Sequence, residues 1–126
     1  MLKRFRQGHQ GDQGAAALEF AVVAPVLMLL VFGMLEFGFV FQAQLAVTHA
    51  AREGARLAAI DDGANWDPAV VEQRAYPLTT AGGLQISLSE PDPESVRVSV
   101  QYQWEWRIIP FGEMRTLSGV ATMRKE

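Results

Sequence analysis

The feature that most constrains this chain is a run of sixteen residues without a charge, bounded by Glu19 and Glu36. As a helix the run rises about 24 Å, which is slightly less than the hydrocarbon core of a bilayer, about 30 Å thick. Adding Ala15–Leu18 and the apolar block Phe37–Phe41 extends it to about 40 Å, which is enough to cross a bilayer even when tilted. The sequence therefore predicts a transmembrane helix over residues 15–41.

The charges flanking this helix predict its orientation. Residues 1–14 carry Lys3, Arg4 and Arg6 against Asp12, a net charge of +2. Since the whole chain has a net charge of −3, residues 15–126 carry −5. Basic residues before a membrane span favour a cytoplasmic N-terminus. We therefore expect a basic cytoplasmic leader at residues 1–14 and an extracytoplasmic C-terminal region.

Composition argues against catalysis. The chain has 126 residues and no cysteine, so little remains outside the membrane to form an enzyme core, and there is no disulfide or thiolate. His9 and His49 lie on opposite sides of the expected membrane, and no catalytic triad, phosphate-binding loop or metal-ligand spacing is present. We expect no enzyme, no catalytic or metal-binding residues, no cofactor and no nucleic-acid partner.

Beyond Phe41 the sequence becomes rich in alanine, which favours continuation of the same helix over residues 42–60, outside the bilayer. Small residues recur there at i, i+4 spacing, which keeps them on one face and allows close approach of another backbone. Arg52 and Arg56 are expected to reach lipid phosphate or acidic groups on a partner, while the small face packs on a sheet. The candidate helix-packing residues are Ala46, Ala50, Gly54 and Ala58, beside a second row at Ala43, Val47, Ala51, Ala55 and Ala59.

Residues 61–126 are predicted to form a small extracytoplasmic α/β region. Asp67 before Pro68 is typical of a helix N-terminus, here for a short helix to about Tyr76. Period-two alternation predicts strands, which short connections make antiparallel; they are Leu84–Glu90, Val96–Ile108 with its stripe of Tyr102, Trp104 and Trp106, and Thr116–Arg124. The expected fold is α+β: a long N-terminal transmembrane and amphipathic helix packed on a small antiparallel sheet, a lollipop with a short second helix.

Several spaced features of residues 14–56 together resemble one known family. They are Gly14 with Glu19 and Phe20, Pro25, the two Phe-Gly pairs at residues 32–33 and 37–38 with Glu36, and the sequence AAREGAR at residues 50–56. In these features the chain closely resembles the TadE-like family, the minor pilins or pseudopilins of bacterial tight-adherence (Tad/Flp) pili.

This resemblance implies a processing site and an assembly site. A prepilin peptidase would cut after Gly14 and leave Ala15 as the new N-terminus, so that Glu19 becomes the fifth residue of the mature chain, followed by Phe20. Gly8 and Gly11 are less suitable, because neither has an acidic residue five positions later. The freed α-amine would be a natural partner for the Glu19 carboxylate of a neighbouring subunit. Ala15 stands where the better-known type IV pilins have an aromatic residue, and N-methylation is not predicted.

The function implied is biogenesis or assembly of a Tad/Flp adhesion pilus by a single-pass protein of the bacterial inner membrane. The implied partners are the major pilin, other TadE- or TadF-type minor pilins, the prepilin peptidase, the inner-membrane assembly platform and the lipid bilayer. The alternative is an uncleaved single-pass anchor that presents an extracytoplasmic binding or scaffold domain. Glu36 is interpreted as marking the outer membrane interface, with an interhelical ion pair as the second hypothesis.

Overall fold

A computed structural model describes residues 8–60, 66–75, 83–108 and 113–126, with side chains from residue 13 onward. It has five elements in the order ααβββ, and it confirms the predicted α+β fold of a long helix packed on a three-stranded antiparallel sheet with a short second helix. The elements are α1 (Gly8–Ala59), α2 (Pro68–Ala75), β1 (Leu84–Asp92), β2 (Ser95–Trp104) and β3 (Arg115–Arg124).

The contacts divide the chain into two units, residues 1–35 and residues 36–126. In the first unit α1 runs through Pro25 without a break in its helical assignment. Its large apolar side chains are exposed, from Leu18 at 71% to Leu35 at 49%. The helix is long and apolar enough to cross a membrane, a test that signal sequences and buried core helices also pass.

The sheet of the second unit has the strand order β1-β2-β3, and both pairings are antiparallel as predicted. In β2 the inward residues are buried while Arg97, Gln101 and Gln103 face solvent, the pattern of a strand with one covered face. The prediction was wrong at its end, because β2 stops at Trp104 and not at Ile108.

The small residues of α1 form the cover of this sheet. Both predicted rows are buried, and all their residues except Ala46 and Gly54 belong to one core with Val96, Val98 and Val100 of β2. A Cβ added to Gly119 of β3 would lie 2.6 Å from the carbonyl oxygen of Val47. Glycine is therefore required at this position, because the backbones of strand and helix approach too closely for a side chain.

The predicted start of α2 is confirmed. The Ala69 amide donates to Asp67 Oδ1 at 2.8 Å, and the Val70 amide donates to the Asp67 carbonyl at 3.1 Å, which satisfies amides that a helix N-terminus leaves free. Val71 and Ala75 of α2 are buried in the core. The turns predicted within residues 61–65, 76–82 and 109–112 lie outside the described residues, as do residues 1–7 of the leader.

Candidate functional site

The predicted processing and assembly residues lie together on one exposed helical stretch. Gly14, Ala15, Glu19 and Phe20 are all helical and exposed, and a Cβ on Gly14 would meet nothing within 4 Å. Five residues of helix separate Gly14 from Glu19 by about 7.5 Å along the axis. Within this unit the stretch is open on its surface, and the carboxylate is the single charge among the apolar side chains of residues 13–35.

The candidate helix-packing residues lie in the other unit and contact the chain's own sheet. Ala46, Ala50 and Ala58 are at most 7% exposed, and a Cβ on Gly54 would lie 3.0 Å from Val71 Cγ2 and 3.1 Å from Val98 Cγ1. This face is therefore occupied within the subunit, so a second helix has no access to it without displacing the sheet.

Glu36 has a role that neither sequence interpretation anticipated. It is 1% exposed, and its two carboxylate oxygens accept hydrogen bonds from the backbone amides of Arg107, at 3.1 Å, and Ile108, at 3.0 Å. Charge-assisted bonds of this kind are about twice as strong as neutral ones. Glu36 thus ties the segment after β2 to α1. Its place at the outer membrane interface and its pairing with another helix stay predictions.

This anchored segment also explains why β2 ends where it does. The amides of Arg107 and Ile108 bond to Glu36 and are therefore turned away from the sheet ladder. The Arg107 guanidinium lies over the ring of Trp104, at 5.3 Å, and over that of Phe39, at 5.8 Å, distances within the range of cation–π attraction. Sequence alternation continues to Ile108, so it gave no sign of this turn.

Two further contacts fix the connection between β2 and β3. Trp106 Nε1 donates to the carbonyl of Glu113 at 2.7 Å, and Trp104 pairs with Arg115 in the sheet register. Trp104 is 2% exposed, and its Nε1 has no acceptor in the part of the chain that the structure describes. The residues after β2 and those at the start of β3 are thus joined to one another by these contacts.

The opposite end of the sheet is fixed to the other end of α1. The Glu126 amide donates to the carbonyl of Ala59 at 3.1 Å, and Lys125 Nζ pairs with Glu90 at 2.9 Å. The helix from residue 36 to residue 59 is about 35 Å long, and a ten-residue strand is about 33 Å. Helix and sheet are therefore matched in length and held together at both ends.

Arg56, which the sequence predicts to contact lipid phosphate or an acidic partner, pairs with Glu53 of its own helix, and the prediction is not tested by this pair. The Arg56 guanidinium bonds both carboxylate oxygens of Glu53, at 2.8 and 3.1 Å. This hydrogen bond to Arg56 lowers the pKa of the Glu53 carboxyl below its ordinary value. Arg52, one turn earlier, is exposed, so lipid or partner contact by Arg52 stays a prediction.

Comparison with known proteins identifies a similar family for part of the chain. No curated protein and no solved structure matches the chain. Residues 14–56, about a third of the chain, match the family model described as TadE-like protein. The matched residues begin at Gly14 and include Glu19, Glu36 and the alanine-rich part of α1, so this segment of the chain is similar to TadE-like proteins of the Tad pilus system.

Proposed function

We propose that this protein is a minor pilin or pseudopilin of the Tad/Flp pilus, processed after Gly14 and active in pilus assembly without catalysing a reaction. The observation that carries the proposal is the exposed apolar helix in which a single carboxylate, Glu19, follows Gly14 by five residues, inside the segment that matches the family.

The exposure of the first half of α1 supports insertion in the inner membrane. Large apolar side chains cover this segment, including Phe20 at 71% and Leu29 at 69% exposed. Covering each such side chain is worth about 1.5–3 kcal/mol. A helix of this kind requires lipid or other apolar helices around it, and the basic residues before it favour a cytoplasmic N-terminus.

Cleavage after Gly14 would place a new charge close to Glu19. The freed amine of Ala15 is a cation, and a carboxylate in an apolar environment is costly unless it is paired. Within one helix the two groups lie about 6 Å apart along the axis, so a parallel neighbouring subunit displaced by that distance would bring its amine level with this carboxylate. The partners that the family resemblance implies are the major pilin and other TadE- or TadF-type subunits. The prepilin peptidase and the assembly platform would act on the protein before it contacts these subunits.

The processing step is tested by sequencing the N-terminus of the protein from cells with and without the prepilin peptidase. We expect Ala15 as the first residue only when the enzyme is present. Gly14→Ala should abolish the cut, whereas the matched control Gly11→Ala should leave it unchanged. A wild-type chain that keeps residues 1–14 in cells with active peptidase would instead support the uncleaved single-pass anchor.

The assembly step is tested separately at Glu19. We expect Glu19→Ala to leave cleavage intact and to reduce piliation strongly, with partial recovery in Glu19→Asp, which keeps the charge. Normal piliation by the cleaved Glu19→Ala protein would remove the ion-pair mechanism while leaving the processing proposal in place.

A further inference from the structure

One end of the second unit carries an exposed surface whose composition differs from the rest of the sheet. We call it the base surface and define it by Phe37, Phe41, Trp106, Arg107, Met114 and Arg115. Phe37 is 77% exposed, and Phe41 and Met114 are each 66% exposed. The solvent face of the sheet, in contrast, is formed mainly by serine, threonine and glutamine side chains.

The base surface is held in place by contacts already described. Glu36 binds the amides of Arg107 and Ile108, and the indole of Trp106 donates to the Glu113 carbonyl. Arg115 is the first residue of β3 and pairs with Trp104. These side chains are therefore fixed to α1 at the residue where its uncharged run ends, because Glu36 is the first charge after residue 19.

The two arginines have no acidic partner in the described part of the chain. Arg107 lies against the rings of Phe39 and Trp104, and the Arg115 side chain is exposed. A guanidinium binds phosphate with two parallel hydrogen bonds and stacks readily on aromatic rings. Aromatic side chains with a polar edge, such as Trp106, are typical of the boundary between hydrocarbon and water.

Long-range charge attraction would contribute little to phosphate binding by these arginines. Glu105 and Glu113 are also exposed, each two residues along the chain from one of the two arginines, so the net charge of this part of the chain is close to zero. Binding would depend on short-range phosphate contacts and on insertion of apolar side chains, and only weakly on the fraction of anionic lipid.

We propose that the base surface lies in the phosphate and glycerol layer of a phospholipid bilayer, with Arg107 and Arg115 donating to lipid phosphates and Met114 directed toward the acyl chains. This inference rests on the membrane insertion of α1 proposed above. In this arrangement the hydrogen bonds of Glu36 would fix the height of the sheet above the membrane.

The experiment uses nitroxide labels on single cysteines, which the absence of native cysteine makes straightforward. The full chain carries Met114→Cys, Val120→Cys or Leu27→Cys and is reconstituted alone in phosphatidylcholine vesicles at low protein density. Val120 is a matched control, since it is 59% exposed on β3. Collision with a water-soluble nickel chelate and with oxygen, measured by electron paramagnetic resonance, reports the depth of each label.

We expect the label at residue 114 to collide several-fold less with the nickel chelate than the label at residue 120, and the label at residue 27 to show the profile of the hydrocarbon core. Arg115→Glu should move the label at residue 114 toward water, and Arg97→Glu, on the same sheet, should not. Equal exposure of the labels at residues 114 and 120, with the label at residue 27 in hydrocarbon, overturns this inference alone.

Two other results are also decisive. An aqueous label at residue 27 overturns both the membrane insertion and the base-surface inference. Shielding at residue 114 that appears only at high protein density, with broadening between spins, identifies a second copy and not lipid as the covering partner, which overturns the inference.

Discussion

Gly119 offers the sharpest test of how helix and sheet are joined. In Gly119→Ala the new Cβ would lie 2.6 Å from the Val47 carbonyl oxygen and 2.9 Å from Thr48 Cα. Both atoms belong to the backbone of α1, so a change of side-chain rotamer cannot relieve the clash. Restoring an ordinary contact of 3.4 Å requires the helix to withdraw by about 0.8 Å.

A displacement of this size is costly because the facing surface of α1 is made of small residues. A gap of about 0.5–1 Å removes a quarter to a half of the attraction between packed atoms, and overpacking in cores costs about 1–3 kcal/mol. Alanine also restricts the unfolded chain, which restores about 0.4–1 kcal/mol. We therefore expect a net loss of about 1–2 kcal/mol in the free energy of unfolding, which corresponds to a urea midpoint lower by about 1 M.

The assay is urea unfolding of the full chain in detergent, followed by tryptophan fluorescence, since Trp104 is 2% exposed in the folded protein. Gly38→Ala is the matched control: nothing lies within 4 Å of the new Cβ, and alanine in a helix should gain about 0.5–1 kcal/mol. Gly54→Ala should fall between them, because the atoms it meets at 3.0–3.3 Å belong to side chains. A Gly119→Ala protein as stable as wild type would refute the close backbone approach.

Three further outcomes follow from individual contacts. Glu36→Ala leaves two amides without their charged acceptor and should lower the free energy of unfolding by about 1.5–3 kcal/mol. The measurement is hydrogen exchange, in which those amides should lose their protection. The control variant Glu105→Ala, at an exposed residue, should leave them protected. Asp67→Ala removes the N-cap of α2 and should cost about 1 kcal/mol in the same urea assay, and an unchanged midpoint would contradict the cap. The pKa of Glu53 is lowered by Arg56, so the ionised Glu53 carboxylate should stabilise the folded state slightly above pH 4.5, the ordinary value. This stabilisation should disappear as pH falls through the lower pKa of the folded state. Glu53→Gln should abolish this pH dependence of stability, and a dependence that survives would assign it to another group.

The sequence predicted β2 well because this strand has one covered face. Alternation from Val96 to Trp104 identified β2 and its buried side, and the turn chemistry at Asp67 located the start of α2. The same reasoning could not identify the partner of Glu36, because the two amides that it binds lie 71 and 72 residues away and have no side-chain signature. Gly119 carried a usable signal, since an isolated glycine inside a strand pattern indicates close approach of another backbone.

The size of the apolar residues along α1 distinguishes its two halves better than their hydropathy does. Before residue 42 the side chains are large and mostly exposed, as with Met34 at 73%. From Ala43 onward the apolar residues turned inward are alanine and valine, which are at most 7% exposed within the chain's own core. Large side chains gain most from an apolar environment outside the subunit, whereas small ones allow a sheet to lie close to the helix backbone. Within α1, the change from phenylalanine to alanine between residues 41 and 43 therefore marks where exposed apolar side chains give way to apolar side chains that the chain's own sheet covers.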